Sequence, residues 1–600
     1  MTACIQDYLK AVEKEHSRGI ATEHTYRPAL KNLMESLDKG IQAVNEPRRD
    51  TCGAPDYLIS RRNLTLGYIE AKDIGVSLNE IEKSAQLKRY LPALENLILT
   101  DYLEFRWYVN GEWRQTARAG YLSGNNVRMD EQGALEVDKM LREFIIHKPQ
   151  TIRRPKELAK RMANLAHMVR DIIVKALEQN EASDTLKDWR TAFAQTLMHD
   201  LMQPERTGDF ADMFAQTIAY GLFSARVMDP TPEDFSRQEA QALIPKSNPF
   251  LRNFFYQITG PDLDKEPFAP FVEDLVSVLG HTDMNRVLED FGVSKKTRDP
   301  VFHFYETFLA EYDPKLREQR GVYYTPDPVV SYIVRSVDHI LKTKFKCADG
   351  LADKSKVLVD NWKPENRTKK ATQKKKVECH RVLILDPACG TGTFLYDIIG
   401  LIRNQFMERN DAGMWPGYVK KSLLPRLFGF ELMMAPYAIA HFKLSLQLAG
   451  RDLLELQAPG WKYEMEDDDR LGIFLTNTLE DMHEMSGLPL FARWIAEETE
   501  AANEVKRDLP IMVICGNPPY SGHSENKGAW ISDKIEDYKF VNGQPLNERN
   551  SKWLQDDYVK FIRFAQWRLD ESGNGILAFI SNNGYLDNPT FRGMRWSLMQ

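Results

Sequence analysis

Apolar residues recur at helical spacing from Cys4 to Leu37, so the chain opens as an amphipathic helical region. Two strand-like stretches follow, Asp56 to Ser60 and Leu64 to Ala71, and then another helix around Leu78 to Leu91. Apolar and aromatic sequence resumes at Leu97 to Thr100 and Tyr102 to Val109, closing on the hairpin-type pair Asn110-Gly111. A small α/β domain is therefore expected over residues 1–125. From about 135 to 310 the pattern is almost wholly helical, with breaks near Pro204, Pro230-Thr231-Pro232 and Pro249, and residues 126–305 are expected to form a helical connector. Lys354 to His380, rich in Lys with Asn and Pro, reads as an exposed insertion. The period then changes. An apolar strand, Val382 to Leu385, runs into a Gly-rich turn and a helix from Phe394 to Phe406. Strand-then-helix alternation continues through Leu427 to Phe430, Val513 to Cys515 and Ile576 to Ile580. Such alternation implies an α/β fold with a doubly wound, mostly parallel sheet over residues 306–600.

Composition adds exclusions. A chain of 600 residues is too long for one core and divides into about three or four units at roughly 100 to 200 residues each. With 43% hydrophobic and 28% charged residues it is globular rather than disordered. No apolar stretch approaches the roughly 20 residues that span a bilayer. The N-terminus lacks a basic segment followed by an apolar run, so a cytoplasmic location is expected. Six cysteines without a CxxC pair read as reduced thiols. The net charge of −7 argues against a nucleic-acid partner only on average. Local clusters decide binding, and Arg153-Arg154-Pro155-Lys156 with Lys160-Arg161, and Lys369-Lys370 with Lys374-Lys375-Lys376, are basic; each also fits a plain solvated surface.

In an open parallel sheet ligands sit beyond the carboxyl ends of the strands. Two loops qualify. The first is Asp386-Pro387-Ala388-Cys389-Gly390-Thr391-Gly392-Thr393-Phe394, whose glycines admit a close ligand and whose helix offers unsatisfied N–H groups. Taken alone, such a turn serves packing as readily as binding. The second is Asn517-Pro518-Pro519-Tyr520. The exocyclic amine of adenine is a weak nucleophile because its lone pair is delocalised. The Asn517 side-chain oxygen and the Pro518 backbone carbonyl are acceptors that favour a tetrahedral nitrogen. The two prolines hold that carbonyl rigidly. Tyr520 offers a face on which an extruded base stacks, although taken alone the loop fits a Pro-Pro turn with a core tyrosine better.

In this order the two loops resemble the gamma-type amino-methyltransferases of DNA restriction-modification systems, over residues from about 310 to 600. The resemblance implies transfer of a methyl group from S-adenosylmethionine to N6 of a flipped adenine in double-stranded DNA, by direct in-line attack and without a metal. It implies that Tyr324, Thr325 and Pro326, in Arg320 to Pro326, line the methionine end of the cofactor. Asp386, Pro387, Ala388, Cys389, Gly390, Gly392 and Thr393 become the main cofactor loop, Glu431 the acid on the ribose hydroxyls, and Asn517 a further cofactor contact. Asn477 falls where many relatives carry an aspartate near the adenine ring, a departure from the family pattern.

Nearer the N-terminus Asp56 follows Pro55, and Glu70-Ala71-Lys72 ends the next strand-like stretch, giving PD…ExK. Positions 70 and 72 of a strand share a face. Asp56 and Glu70 are candidate ligands of Mg²⁺, with Lys72 to position water or offset charge on phosphate. Gln86-Leu87-Lys88-Arg89-Tyr90 resembles the Gln-xxx-Tyr element of a subset of PD-(D/E)xK nucleases, and Glu23 is a possible further acid on the first helix. The same segment also fits a domain that binds DNA without cutting it. Nuclease-like domain, connector and methyltransferase is the order of single-chain Type IIG or IIL-like enzymes, and of Type ISP enzymes without their motor. No GxxxxGK[ST] loop occurs, so no ATP-driven motor is expected in this chain. By the family pattern, the remaining strands and a target-recognition domain are expected beyond residue 600. Rival readings are a protein-glutamine methyltransferase, a defence methyltransferase with an inactive nuclease-like domain, and a DNA-binding scaffold.

Overall fold

A computed structural model describes residues 3–600 apart from 19–21, 46–53, 63, 125, 230, 232–233, 245–247, 294–299, 314–324, 361–375, 451–460, 467, 481–489, 521–523, 525 and 547–550, and apart from the side chains of 199, 290–293, 300–302, 360, 490–492 and 551. The chain separates into two compact units. One comprises Met1–Ser183, Phe214–Ala242 and Gln257–Lys296; the other comprises Asp184–Met213, Leu243–Tyr256 and Thr297–Gln600.

The first unit is built on a six-stranded sheet: β1 (Ile41–Asn45), β2 (Tyr57–Arg61), β3 (Leu64–Ala71), β4 (Asn96–Thr100), β5 (Glu104–Val109) and β6 (Glu112–Arg118), paired in that order. Only β3 and β4 run parallel, with Glu70 opposite Leu99. Their crossover holds α3 (Ala85–Ala93), as parallel pairing requires. The end of β3 and all of β4 are buried, consistent with central strands. Asn110 and Gly111 both have positive φ, 54° and 78°, the backbone of the two-residue turn that joins β5 to β6.

Three details differ from expectation. The amphipathic start is two helices, α1 (Ala3–His16) and α2 (Glu23–Leu37), so Glu23 opens the second helix and not the first. The helix expected over Leu78 to Leu91 is interrupted at Ser84, whose Oγ caps α3 by accepting from Leu87 N at 3.2 Å. The core of this sheet also continues past residue 125. A hairpin, Gly120–Ser123 with Asn126–Met129, leads into helix Glu131–Ile146, whose Val137, Leu141 and Phe144 are fully buried against the sheet.

The second unit contains a five-stranded parallel sheet: β7 (Ile384–Asp386), β8 (Leu427–Glu431), β9 (Gly472–Leu475), β10 (Val513–Gly516) and β11 (Ile576–Phe579), in the order β9-β8-β7-β10-β11. Helices cover both faces, which is why the strands read as continuous apolar runs rather than alternating ones. Phe428 and Phe430 join a core with Ala502 and Val505 of helix Leu490–Arg507 and with Phe561 and Phe564 of helix Asp557–Ser572. Gly429, between the two phenylalanines, faces the opposite side, where a Cβ would stand 3.0 Å from Leu395 of helix Thr393–Glu408. Within the expected insertion, Lys356–Asp360 pairs antiparallel with Lys376–His380, and 361–375, which hold Lys369, Lys370, Lys374 and Lys375, lie outside the described residues. The described cysteines are all free. Among the described residues no helix is long and apolar enough to cross a membrane.

Candidate active site

The parallel sheet starts at its centre with β7, grows outward through β8 and β9, and then returns to add β10 and β11 on the other side. Strand order therefore reverses between β7 and β10. The loops that leave the carboxyl ends of these two neighbours diverge, and the crevice between them is where such sheets bind ligands. Asp386 to Gly392 leaves β7, and Asn517 to Tyr520 leaves β10. Glu431 ends β8, and Thr476 to Thr478 follow β9. The sequence-derived residues 386–393, 431, 477 and 517–520 thus share one end of one sheet.

Hydrogen bonds bind these loops to each other. Cys389 N donates to Phe430 O at 2.9 Å, and Gly390 N to Glu431 Oε2 at 2.9 Å. Met433 N donates to the other Glu431 oxygen at 2.8 Å, and Thr478 Oγ1 to Pro387 O at 2.5 Å. Gly392 takes the left-handed conformation (φ 78°) that starts helix Thr393–Glu408, and a side chain at Gly390 would meet nothing within 4 Å. The Glu431 carboxylate is therefore held by backbone N–H groups, one of them from Gly390, where an added side chain would meet open space. Burial pushes its pKa up to about 7, and burial together with Glu431 pushes Asp386 up to about 8.

On the β10 side, Gly516 has no room for a side chain: a Cβ would lie 2.5 Å from Asp386 Oδ1. Asn517 then donates from Nδ2 to Thr325 Oγ1 at 3.1 Å and accepts the Tyr520 hydroxyl on Oδ1 at 2.6 Å. Thr325 and Pro326 precede helix Asp327–Thr343, so the segment expected to line the cofactor meets the Asn-Pro-Pro-Tyr loop; Tyr324 lies outside the described residues. Tyr520 is half-buried, and its ring meets Tyr558 edge-on at 6.3 Å.

Several residues here carry no local sequence signal. Lys506 is buried and donates to Thr476 Oγ1 (3.1 Å) and Asn477 O (2.6 Å), yet in sequence it is only a basic residue at a helix end. Ser524 and Asn526, a few residues past the Asn-Pro-Pro-Tyr loop, form a buried or half-buried network with Asp557 and Lys560 of helix Asp557–Ser572.

In the first unit the PD…ExK residues also converge. The Tyr57 hydroxyl donates to Arg27 O and that of Tyr102 to Glu23 O, which seats the start of α2 over β2. Arg27 bridges Glu23 (2.9 Å) and Asp56 (2.7 Å). Asp56 Oδ2 accepts from Ala71 N at 2.8 Å, beside Glu70, which is 1% exposed and ion-paired with Lys72. The Glu70 Oε2 atom is buried without a hydrogen-bond partner. Burial, then the Asp56 charge, raises the Glu70 pKa; burial, then Glu23, raises that of Asp56. Gln86 donates to the Tyr90 hydroxyl at 3.1 Å, and Tyr90 is near enough to Glu70 for that charge to add to the burial raising its own pKa. Among the described residues no group of three His, Cys, Asp or Glu side chains is arranged to hold a metal ion.

Residues 362–587 match the family described as MmeI, DNA-methyltransferase domain. Among solved structures, the chain is similar to that of a DrdV–DNA complex at 22% identity, over 99% of this chain and 51% of that one, with a TM-score of 0.44. It is also similar to a nuclease-deletion mutant of the Type ISP restriction-modification enzyme LlaGI in complex with a DNA substrate mimic, at 21% identity over 78% and 32% of the two chains, with a TM-score of 0.49. Likeness to the ATP-dependent Type ISP enzyme LlaBIII bound to DNA, at 20% identity over 78% and 27% of the two chains and a TM-score of 0.50, is a likeness of fold. The chain thus spans from 27% to 51% of the lengths of these relatives. No curated protein matches it. Over residues 362–587, therefore, the chain is similar to the DNA-methyltransferase domain of MmeI.

Proposed function

We propose that this chain methylates N6 of adenine in double-stranded DNA, as the modification activity of a site-specific restriction-modification or related defence enzyme. The observation that carries this reading is the placement of Asn517 and Tyr520 across the strand-order reversal from the Gly390–Glu431 contact. The residues fit S-adenosylmethionine: a carboxylate is held by backbone amides beside Gly390, where a side chain would meet open space, and Thr325 and Asn517 are hydrogen-bonded to each other at the neighbouring loop. Glu431 would take the ribose hydroxyls, Asn477 after β9 the purine of the cofactor, and the 386–393 loop and Thr325 the remainder. When bound, the cofactor supplies a methyl group activated by its sulfonium.

The chain's own residues act on the other reactant. Asn517 Oδ1 and the Pro518 carbonyl accept from the adenine amine and pull its lone pair out of the ring, and Pro519 keeps that carbonyl from reorganising. Tyr520 stacks on the flipped base, with Tyr558 backing its ring. No side-chain base is required until the product loses its proton. Asn517→Ala should abolish methylation while S-adenosylmethionine still binds; full activity in that variant would refute the assignment.

We also propose that Asp56, Glu70, Lys72 and Gln86 form a Mg²⁺-dependent nuclease site in a PD-(D/E)xK-like domain, joined to the methyltransferase by the helical segment. The orphaned Glu70 oxygen supports it, because a buried carboxylate oxygen without a donor suits a hard cation, and Mg²⁺ keeps several waters as further ligands. Lys72, held by Glu70, would offset charge on the phosphate. The rival reading, a domain that binds DNA without cutting, draws on Arg27, which occupies the Asp56 oxygen a cation would need. Mg²⁺-dependent cleavage that disappears in Lys72→Ala supports the nuclease; absence of cleavage by the intact chain supports the rival.

A further inference from the structure

The site described above departs from the family pattern at Asn477, and the residues around it supply a reason. Leu479 N, which can only donate, points at Asn477 Oδ1 at 3.0 Å, so the other end of that amide must be Nδ2. From the opposite side, Asp557 Oδ1 accepts from Asn526 Nδ2 at 3.0 Å and from Ser524 Oγ at 2.5 Å, which turns Asn526 Oδ1 toward residue 477. The two amides meet as Nδ2 donating to Oδ1 at 3.2 Å. Lys560, 1% exposed, donates to Ser524 Oγ at 2.9 Å and to Asn526 O, which fixes the segment that carries Asn526. The orientation is set independently from both ends by groups whose polarity is unambiguous. An aspartate at 477 would still accept from Leu479 N, but its second oxygen would face another oxygen.

We propose that Asn477, Asn526 and Asp557 form a directional relay that makes asparagine the required residue at 477. Asn526 and Asp557 are positioning residues. They tie the loop after β9, assigned to the cofactor's purine, to the segment that follows the Asn-Pro-Pro-Tyr loop. This rests on the cofactor reading above, and it links the two halves of the site through one chain of hydrogen bonds rather than through the sheet.

A double-mutant cycle on the full chain tests it, with two readouts: the S-adenosylmethionine dissociation constant by equilibrium dialysis, and the unfolding midpoint of the unliganded protein. Asn477→Asp should weaken cofactor binding roughly ten- to hundredfold, the scale of a buried acceptor left facing an acceptor, and should lower the midpoint. In the Asp557→Asn background, residue 557 can present its amide nitrogen, Asn526 can turn over, and Asn477→Asp should cost less than about threefold. Comparing each pair within its own background cancels any loss that Asp557→Asn causes by leaving Lys560 without its anion. Equal penalties in the two backgrounds by both readouts would overturn the relay. If no variant bound S-adenosylmethionine but the midpoints still showed the cycle, the relay would stand and the cofactor reading would fall.

Discussion

Gly516→Ala isolates the geometry on which the site depends. The alanine methyl would stand 2.5 Å from Asp386 Oδ1 and 3.1 Å from its Cγ, inside the 3.4 Å at which ordinary contact begins. Asp386 is 1% exposed and accepts from Ala388 N at 3.2 Å, so its carboxyl cannot swing aside without opening the turn that begins the glycine loop. Gly516 is also paired with Phe579, so β10 cannot easily retreat. Overpacking of this kind costs about 1–3 kcal/mol, a fall of roughly 2–12 °C in unfolding midpoint for a domain of this size. Because Asn517 is the next residue, the displacement should also weaken S-adenosylmethionine binding several-fold. Scanning calorimetry and equilibrium dialysis read the two effects. Gly400→Ala is the control: its Cβ would find only Gln447 Nε2 at 3.7 Å in mid-helix, and it should stabilise by about 0.5–1 kcal/mol. A Gly516→Ala protein with unchanged midpoint and affinity would refute the close approach of β7 and β10 at this point.

Further outcomes follow from the same geometry. Glu431 has its pKa raised to about 7 by burial, and ribose hydroxyls need an ionised acceptor, so S-adenosylmethionine affinity should rise between pH 6 and 8 with protons released on binding. Its effect on the unliganded fold has the opposite sign. A carboxyl whose folded pKa lies above its ordinary 4.5 contributes stability that is complete below that pH and lost as pH rises toward about 7. Titration calorimetry in buffers of different ionisation heat checks the proton release, which should vanish in Glu431→Gln. Tyr520→Phe keeps the stacking face and removes only the hydroxyl bonded to Asn517, so methylation should stay within a few-fold of the parent, whereas Tyr520→Ala should lose roughly 5- to 150-fold, the equivalent of about 1–3 kcal/mol for one base stack. Equal losses in the two variants would assign the role to the hydroxyl. Asp56 and Glu70, both raised chiefly by burial, should give up protons to Mg²⁺, so Mg²⁺ should raise the unfolding midpoint more at pH 8 than at pH 6, and not in Glu70→Gln.

Much of the candidate site is legible in the sequence because its chemistry sits directly after apolar runs. Ile511 to Gly516 and Val382 to Leu385 announce strands, and Asn517 and Asp386 follow them without a gap. What escapes is nonlocal. β9, which follows the acidic stretch Glu464 to Asp469, goes unread, and Asn526 and Asp557 lie 49 and 80 positions beyond Asn477 with nothing in their neighbourhoods to mark them. The strands that flank the Lys-rich segment are not legible because the lysines, Asn and Pro between them dominate its composition, whereas Lys356–Asp360 and Lys376–His380 are joined by backbone pairing. Ser84, by contrast, was a readable cap inside what looked like one helix. Residues 184–213 and 243–256 belong to the second unit through tertiary packing, as when Trp189 meets Phe254 edge-on at 4.8 Å, which helical periodicity cannot reveal.

The most direct test is chemical identification of the product. The full chain is incubated with methyl-labelled S-adenosylmethionine and unmodified duplex DNA, and the digested nucleosides are separated. Label should appear in N6-methyladenine, and should be absent when Asn517→Ala replaces the parent chain. Label in another nucleoside, in protein, or at an undiminished level with Asn517→Ala would contradict adenine-N6 transfer by the Asn-Pro-Pro-Tyr loop.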